Sequence, residues 1–119
     1  MSDTEKGYEG WANYETWAVA LWLGNERASC DHWREQAAGI WEGDGVPRRQ
    51  PHWTRSETAR FNLADQLKAD LTDGAGQALK DDGGTLWRDL LQAALDEVDW
   101  HEVADAFLTD LDGYESEAA

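Results

Sequence analysis

A chain of 119 residues with 41 % aliphatic and aromatic content is long enough for one domain with its own core and too apolar for a disordered acidic segment. Its formal net charge of -15, from 25 Asp and Glu against 10 Lys and Arg, opposes direct contact with nucleic acid, whose phosphates such a surface repels. With no run of about 18 apolar residues to span a membrane, no signal-like start in Met1-Ser2-Asp3-Thr4-Glu5-Lys6, and a lone Cys30 that cannot form an internal disulfide, the expectation is a cytoplasmic protein.

Residues 1–12 carry no periodicity and read as a flexible acidic tail, with Trp11 placed to staple onto the helix that follows. The first helix runs from about Tyr14 to Leu23. Asn13 is its N-cap, Glu15 sits in the first turn where the dipole favours a carboxylate, and Gly24 supplies a left-handed stop. Tyr14, Trp17, Ala18, Leu21 and Trp22 recur at helical spacing and predict one inward stripe. A second helix, about Ala28 to Trp41, turns Trp33, Ala37, Ile40 and Trp41 inward and stops at Gly43-Asp44-Gly45. Pro47 and Pro51 make the next stretch a loop.

Thr54-Arg55-Ser56-Glu57 has the order of a capping box and opens a third helix to about Leu71, with Phe61, Ala64, Leu67 and Leu71 inward. Asp73 to Gly84, rich in Gly and Asp, predicts a loop with at most one helical turn. Its Gly74-Ala75-Gly76 is no phosphate cradle, since no strand precedes it and no lysine-serine pair follows. Thr85 caps a fourth helix with the stripe Leu86, Trp87, Leu90, Leu91, Ala94, Leu95 and Val98. Asp99-Trp100-His101-Glu102 forms a second capping box, with Glu102 returning the bond, and starts a fifth helix. That helix buries Val103, Ala104, Phe107, Leu108 and Leu111, and Gly113 ends it. No alternating strand pattern occurs. The expectation is all-α: a single compact domain of about five short helices with a Trp/Leu-rich core, residues 13–113, between flexible acidic tails at 1–12 and 114–119.

Two blocks, Asn13-Tyr14-Glu15-Thr16-Trp17-Ala18-Val19-Ala20-Leu21-Trp22-Leu23-Gly24-Asn25 and residues 90–104 ending Glu97-Val98-Asp99-Trp100-His101-Glu102-Val103-Ala104, carry a resemblance. In this order they resemble a family of short proteins from phages, plasmids and scattered bacteria and archaea, whose activity is not established. The resemblance implies a mobile-element context. It supplies no catalytic or ligand-binding residue.

The chemistry-bearing residues are few. Cys30, His32, His52 and His101 are of zinc-ligand type, but a helix turns Cys30 and His32 about 200° apart and the other two lie far off in the chain. His101 and Glu102 beside Trp100 suggest acid-base work, yet the capping role already employs Glu102. Ser29, Asp31 and His32 are too crowded on one helix to converge as nucleophile, orienter and base. No catalytic residue, metal or cofactor is expected.

What remains for recognition is charge. Carboxylates outside the apolar stripes, Asp65, Asp70, Asp96, Asp105 and Asp110, are the candidate partner contacts, together with Arg48, Arg49 and Trp53 in the basic proline-bearing loop. The expected function is a non-catalytic protein-interaction module, monomer or homodimer, of a mobile element or its host. In its sharpest form it is an anti-defence or regulatory protein whose carboxylates imitate DNA toward a cationic nucleic-acid-binding protein. The alternatives are a salt-adapted structural or accessory protein without mimicry, and a small carboxylate-based metal-dependent enzyme.

Overall fold

The computed structural model describes residues 8–42, 53–78 and 85–116. Its elements are α1 (Tyr14–Asn25), α2 (Arg27–Glu42), α3 (Arg55–Ala78), α4 (Thr85–Asp96) and α5 (Trp100–Leu108), with no strand among the described residues. The all-α reading therefore holds. α3 and α5 form the central pair, α2 lies across both, α1 rests on α2 and α5, and α4 leans on α3. The molecule measures 44 × 39 × 30 Å. No helix among the described residues is long and apolar enough to cross a membrane.

The core joins Trp33, Ala37 and Trp41 of α2 to Ala59, Leu63, Ala64 and Leu67 of α3 and to Val103, Ala104 and Leu108 of α5, closed at the ends by Leu23, Val98, Trp100 and Tyr114. The spacings 33/37/41 and 63/67 and the pair 104/108 are one-turn repeats, so each helix buries a single stripe. At three of the four caps expected from the chain the N-cap bond is formed. Asn13 accepts from the Thr16 amide at 2.9 Å, Asp99 accepts from the Glu102 amide, and Thr54 and Glu57 exchange reciprocal bonds at 3.1 and 2.8 Å. The Asp73–Gly84 expectation needs correction. α3 runs on through Gly74-Ala75-Gly76 to Ala78, because a glycine weakens a helix by about 1 kcal/mol without removing a hydrogen bond, and a nucleated helix propagates cheaply. Thr85 lies inside α4 rather than before it, and Leu86 and Leu90 of its expected inward stripe are exposed.

Helix ends depart from expectation elsewhere. Gly24 is helical, and α1 stops at Glu26 in extended backbone (φ -85, ψ 113) with its amide still bonded to Trp22 O. The Glu26 carboxylate then accepts from the Ser29 amide and caps α2; that bonding holds its pKa below the ordinary carboxylate value. α5 ends at Leu108, three residues early, and tight turns carry the chain to Gly113, whose φ of +86 does require glycine. The Gly43-Asp44-Gly45 stop lies outside the described residues.

The described parts of the expected tails, 8–12 and 114–116, pack. Tyr8 and Trp11 exchange backbone bonds at 2.9 and 2.6 Å around Glu9 and Gly10, both with positive φ as in a type I′ turn, and Tyr114 is buried.

Candidate functional site

Of the candidate acids, Asp65 and Asp70 are exposed on α3, Asp96 is exposed at the end of α4 with a bond from Gln92, and Asp110 is exposed after α5. Asp105 is different. It is 7 % exposed and belongs to the interior, so it presents no carboxylate to a partner. Its Oδ1 accepts from the Tyr114 hydroxyl at 2.6 Å and lies 3.7 Å from Arg60 Nη1, and its Oδ2 accepts from Ser116 at 2.6 Å. Arg60, equally buried, donates to Tyr114 Oη at 2.8 Å. A buried carboxylate of this kind persists because a guanidinium and two hydroxyls together replace its water. Burial, then the hydrogen bond to Asp105, push the Tyr114 phenol well above its ordinary pKa.

The other polar candidates have structural partners as well. The His101 and Phe61 rings are in T-shaped contact with centroids 4.1 Å apart, and the Trp53 ring lies 4.3 Å from that of Phe61, half-buried rather than presented. His32 packs on Trp33. Arg48, Arg49 and His52 lie outside the described residues. No group of three His, Cys, Asp or Glu among the described residues could hold a metal ion.

Charge is distributed unevenly over the surface. Asp31 and Glu35 of α2, Asp65, Asp70 and Asp73 of α3, Asp89 and Asp96 of α4, and Asp110 and Asp112 after α5 are exposed. Two arginines make internal contacts, Arg60 in the Asp105 cluster and Arg55 over the Trp41 ring at 4.2 Å with a bond to Trp41 O, whereas Arg27 and Arg34 of α2 are exposed. α1 stands apart, since Glu15 is the one charged residue in its span.

The apolar stripe expected to face inward from α1 faces outward instead. Trp22 is 72 % exposed, Tyr14 55 % and Leu21 40 %, while Thr16 and Leu23 are buried and Val19 packs against the core. Seven apolar residues in a row, 17–23, give this helix no strong polar face, so periodicity could not choose its rotation. A set of hydrogen bonds chose it. Trp17 is half-buried and stacks with Tyr8 and Tyr14, whose rings lie 4.9 and 5.5 Å from it.

A family model matches residues 4–113. The chain belongs to DUF7249, a family of unknown function. No curated protein and no solved structure matches it. In this DUF7249 member, the two sequence blocks, residues 13–25 and 90–104, meet at one joint. Thr16 Oγ1 donates to Asn13 Oδ1 and accepts from the Asp99 amide at 2.8 Å, and Asn13 Nδ2 donates to Glu97 O. Glu102 accepts from the Ala12 amide at 2.9 Å. The caps of α1 and α5 are thus locked to each other. Sequence reasoning found each cap singly and missed the joint, although a threonine at the third position after Asn13 was its visible half.

Proposed function

We propose that the protein works by binding another protein rather than by catalysis, and that its partner carries a cationic surface of the kind that holds nucleic acid. The observation that supports this most is the disposition of charge: carboxylates stand exposed on α2, α3 and α4 and after α5, while Arg60 and Arg55 are spent on internal contacts. Such a field attracts a basic groove and repels nucleic acid. The titratable groups that could have served chemistry, Asp105, Glu102 and His101, are engaged in packing and caps. With the mobile-element context that the sequence blocks imply, an anti-defence or regulatory role follows, in which carboxylates occupy a DNA-binding groove.

The magnitudes favour partial rather than complete imitation. Duplex as long as the 44 Å molecule carries about 26 phosphates at one per ~1.7 Å. The chain's excess is -15 and is divided among α2, α3, α4 and the turns after α5 rather than gathered on one helix. One copy therefore fills a short groove.

The test uses heparin-retained host proteins passed over the immobilised chain at about 50 and 500 mM salt, between which the Debye length changes roughly threefold. Binding at low salt, release at high salt, and loss of bound duplex DNA on adding the protein are expected. Reversing Asp65, Asp70, Asp96 and Asp110 to lysine should weaken capture by about 10-fold or more. Retention that ignores salt, or captured proteins that keep their DNA, would end this reading.

A further inference from the structure

We infer that the outward face of α1 is a self-association surface, on which a second copy of this chain docks across a two-fold axis near Ala18. Tyr14, Trp17, Ala18 and Leu21 follow the i, i+3, i+4, i+7 spacing of a helix that docks by one face, and Trp22 extends it by a residue. Contiguous exposed aromatic surface of this kind marks a contact site on a soluble protein.

The occupant follows from size, shape and charge. A buried aromatic side chain removes about 150–250 Å² from water, so the exposed fractions of Trp22, Tyr14 and Tyr8 (72, 55 and 37 %) come to roughly 300 Å². Leu21, Trp17 and Ala18 raise this to roughly 450 Å² per copy, and the exposed Gly24 and Asn25 carry two copies to the ~1,000 Å² at which specific interfaces begin. An area at that threshold suits a reversible dimer.

Tyr14, Ala18 and Trp22 form one i±4 ridge with the small residue in the middle. Antiparallel contact at Ala18 sets Tyr14 of each copy against Trp22 of the other, the reciprocal pairing that a two-fold interface requires. Charge agrees. On a chain of net charge -15, α1 is the helix that can meet its own copy without opposing rows of carboxylates. The same arrangement directs the exposed Arg27, just past one end, toward the Glu9 and Glu15 end of the other copy.

This inference does not rest on the proposed function, and salt separates the two. Association with a cationic partner weakens as salt rises, whereas dimerisation strengthens because the repulsion between two -15 chains is screened.

Sedimentation velocity of the full chain from about 1 to about 500 µM should show a monomer–dimer equilibrium that tightens with salt, with a dissociation constant of roughly 10–100 µM. Trp22→Glu and Trp22→Arg should each weaken it about 10-fold or more, with the helical circular dichroism unchanged. Trp22→Arg lowers the net charge, so its loss of dimer identifies an apolar contact. In a Cys30→Ser background, Ala18→Cys should oxidise to a covalent dimer and Gly39→Cys, exposed on α2, should not. A chain monomeric throughout at high salt, a dimer indifferent to both Trp22 variants, a dimer that loosens with salt, or equal cross-linking at 18 and 39 would each overturn the proposal.

Discussion

The interior between α3 and α5 and the outer face of α1 invert the usual placement of side chains. At the first, a guanidinium and a carboxylate lie 6 and 7 % exposed; at the second, a tryptophan lies 72 % exposed. Hydropathy alone would exchange them. The difference shows that a side chain's place here depends on the partner it finds: Asp105 has Arg60, Tyr114 and Ser116 around it, and Trp22 has no room left on a core already filled by Trp33, Trp41 and Trp100.

The comparison breaks first at Asp105. Asp105→Ala leaves the Arg60 charge buried beside half a network and should lower unfolding free energy by about 3–5 kcal/mol in urea titration. A loss under about 1 kcal/mol would mean that the cluster is wet and the contrast false. Next is the joint that orients α1. Thr16→Val keeps the shape, removes the hydroxyl that bonds Asn13 and receives the Asp99 amide, and should cost about 1–3 kcal/mol. Hydrogen exchange should rise in α1 before α3 if the joint, rather than α1's apolar contacts, sets its rotation.

Tyr114→Phe should cost about 1–1.5 kcal/mol at neutral pH and change the alkaline limb of the stability curve. The folded phenol ionises well above its ordinary value of about 10, while the unfolded one ionises near it. The unfolded state therefore sheds its proton first, and this contribution, complete below about pH 10, is lost as pH rises beyond. Thermal melts from about pH 8 to 11 should fall more steeply for the native chain than for Tyr114→Phe. The smallest effect belongs to the other region. Trp22→Ala should shift stability by no more than about 0.5 kcal/mol at concentrations where the protein is monomeric. A larger loss would place the indole in the core after all.

Much of the fold was legible because its signals are local. Asn13, Thr54 with Glu57, and Asp99 satisfy amides three residues away, and the stripes of α2, α3 and α5 repeat within one helix turn. The continuation of α3 past Gly74 was not legible, because helix propagation outweighed a composition that suggests a loop. At the site, Asp65, Asp70, Asp96 and Asp110 are exposed, in keeping with their positions between apolar stripes. Asp105 looked the same by that criterion. Its partners lie 45 residues upstream at Arg60 and beyond α5 at Tyr114 and Ser116, and no local pattern reports them.

The chain alone determined the number and type of elements, three of the caps that start them, the inward faces of α2 and α5 and part of that of α3, and an acid excess that has to lie mostly outside. Each follows from periodicity, from hydrogen bonds within one turn, or from a sum over residues. Tertiary structure decided the rotation of α1 and the burial of Asp105. Both depend on bonds between residues more than eight positions apart, Thr16 to Asp99 and Asp105 to Arg60 and Tyr114. Such bonds exist only once the helices have met, and they then set which surface is left for recognition.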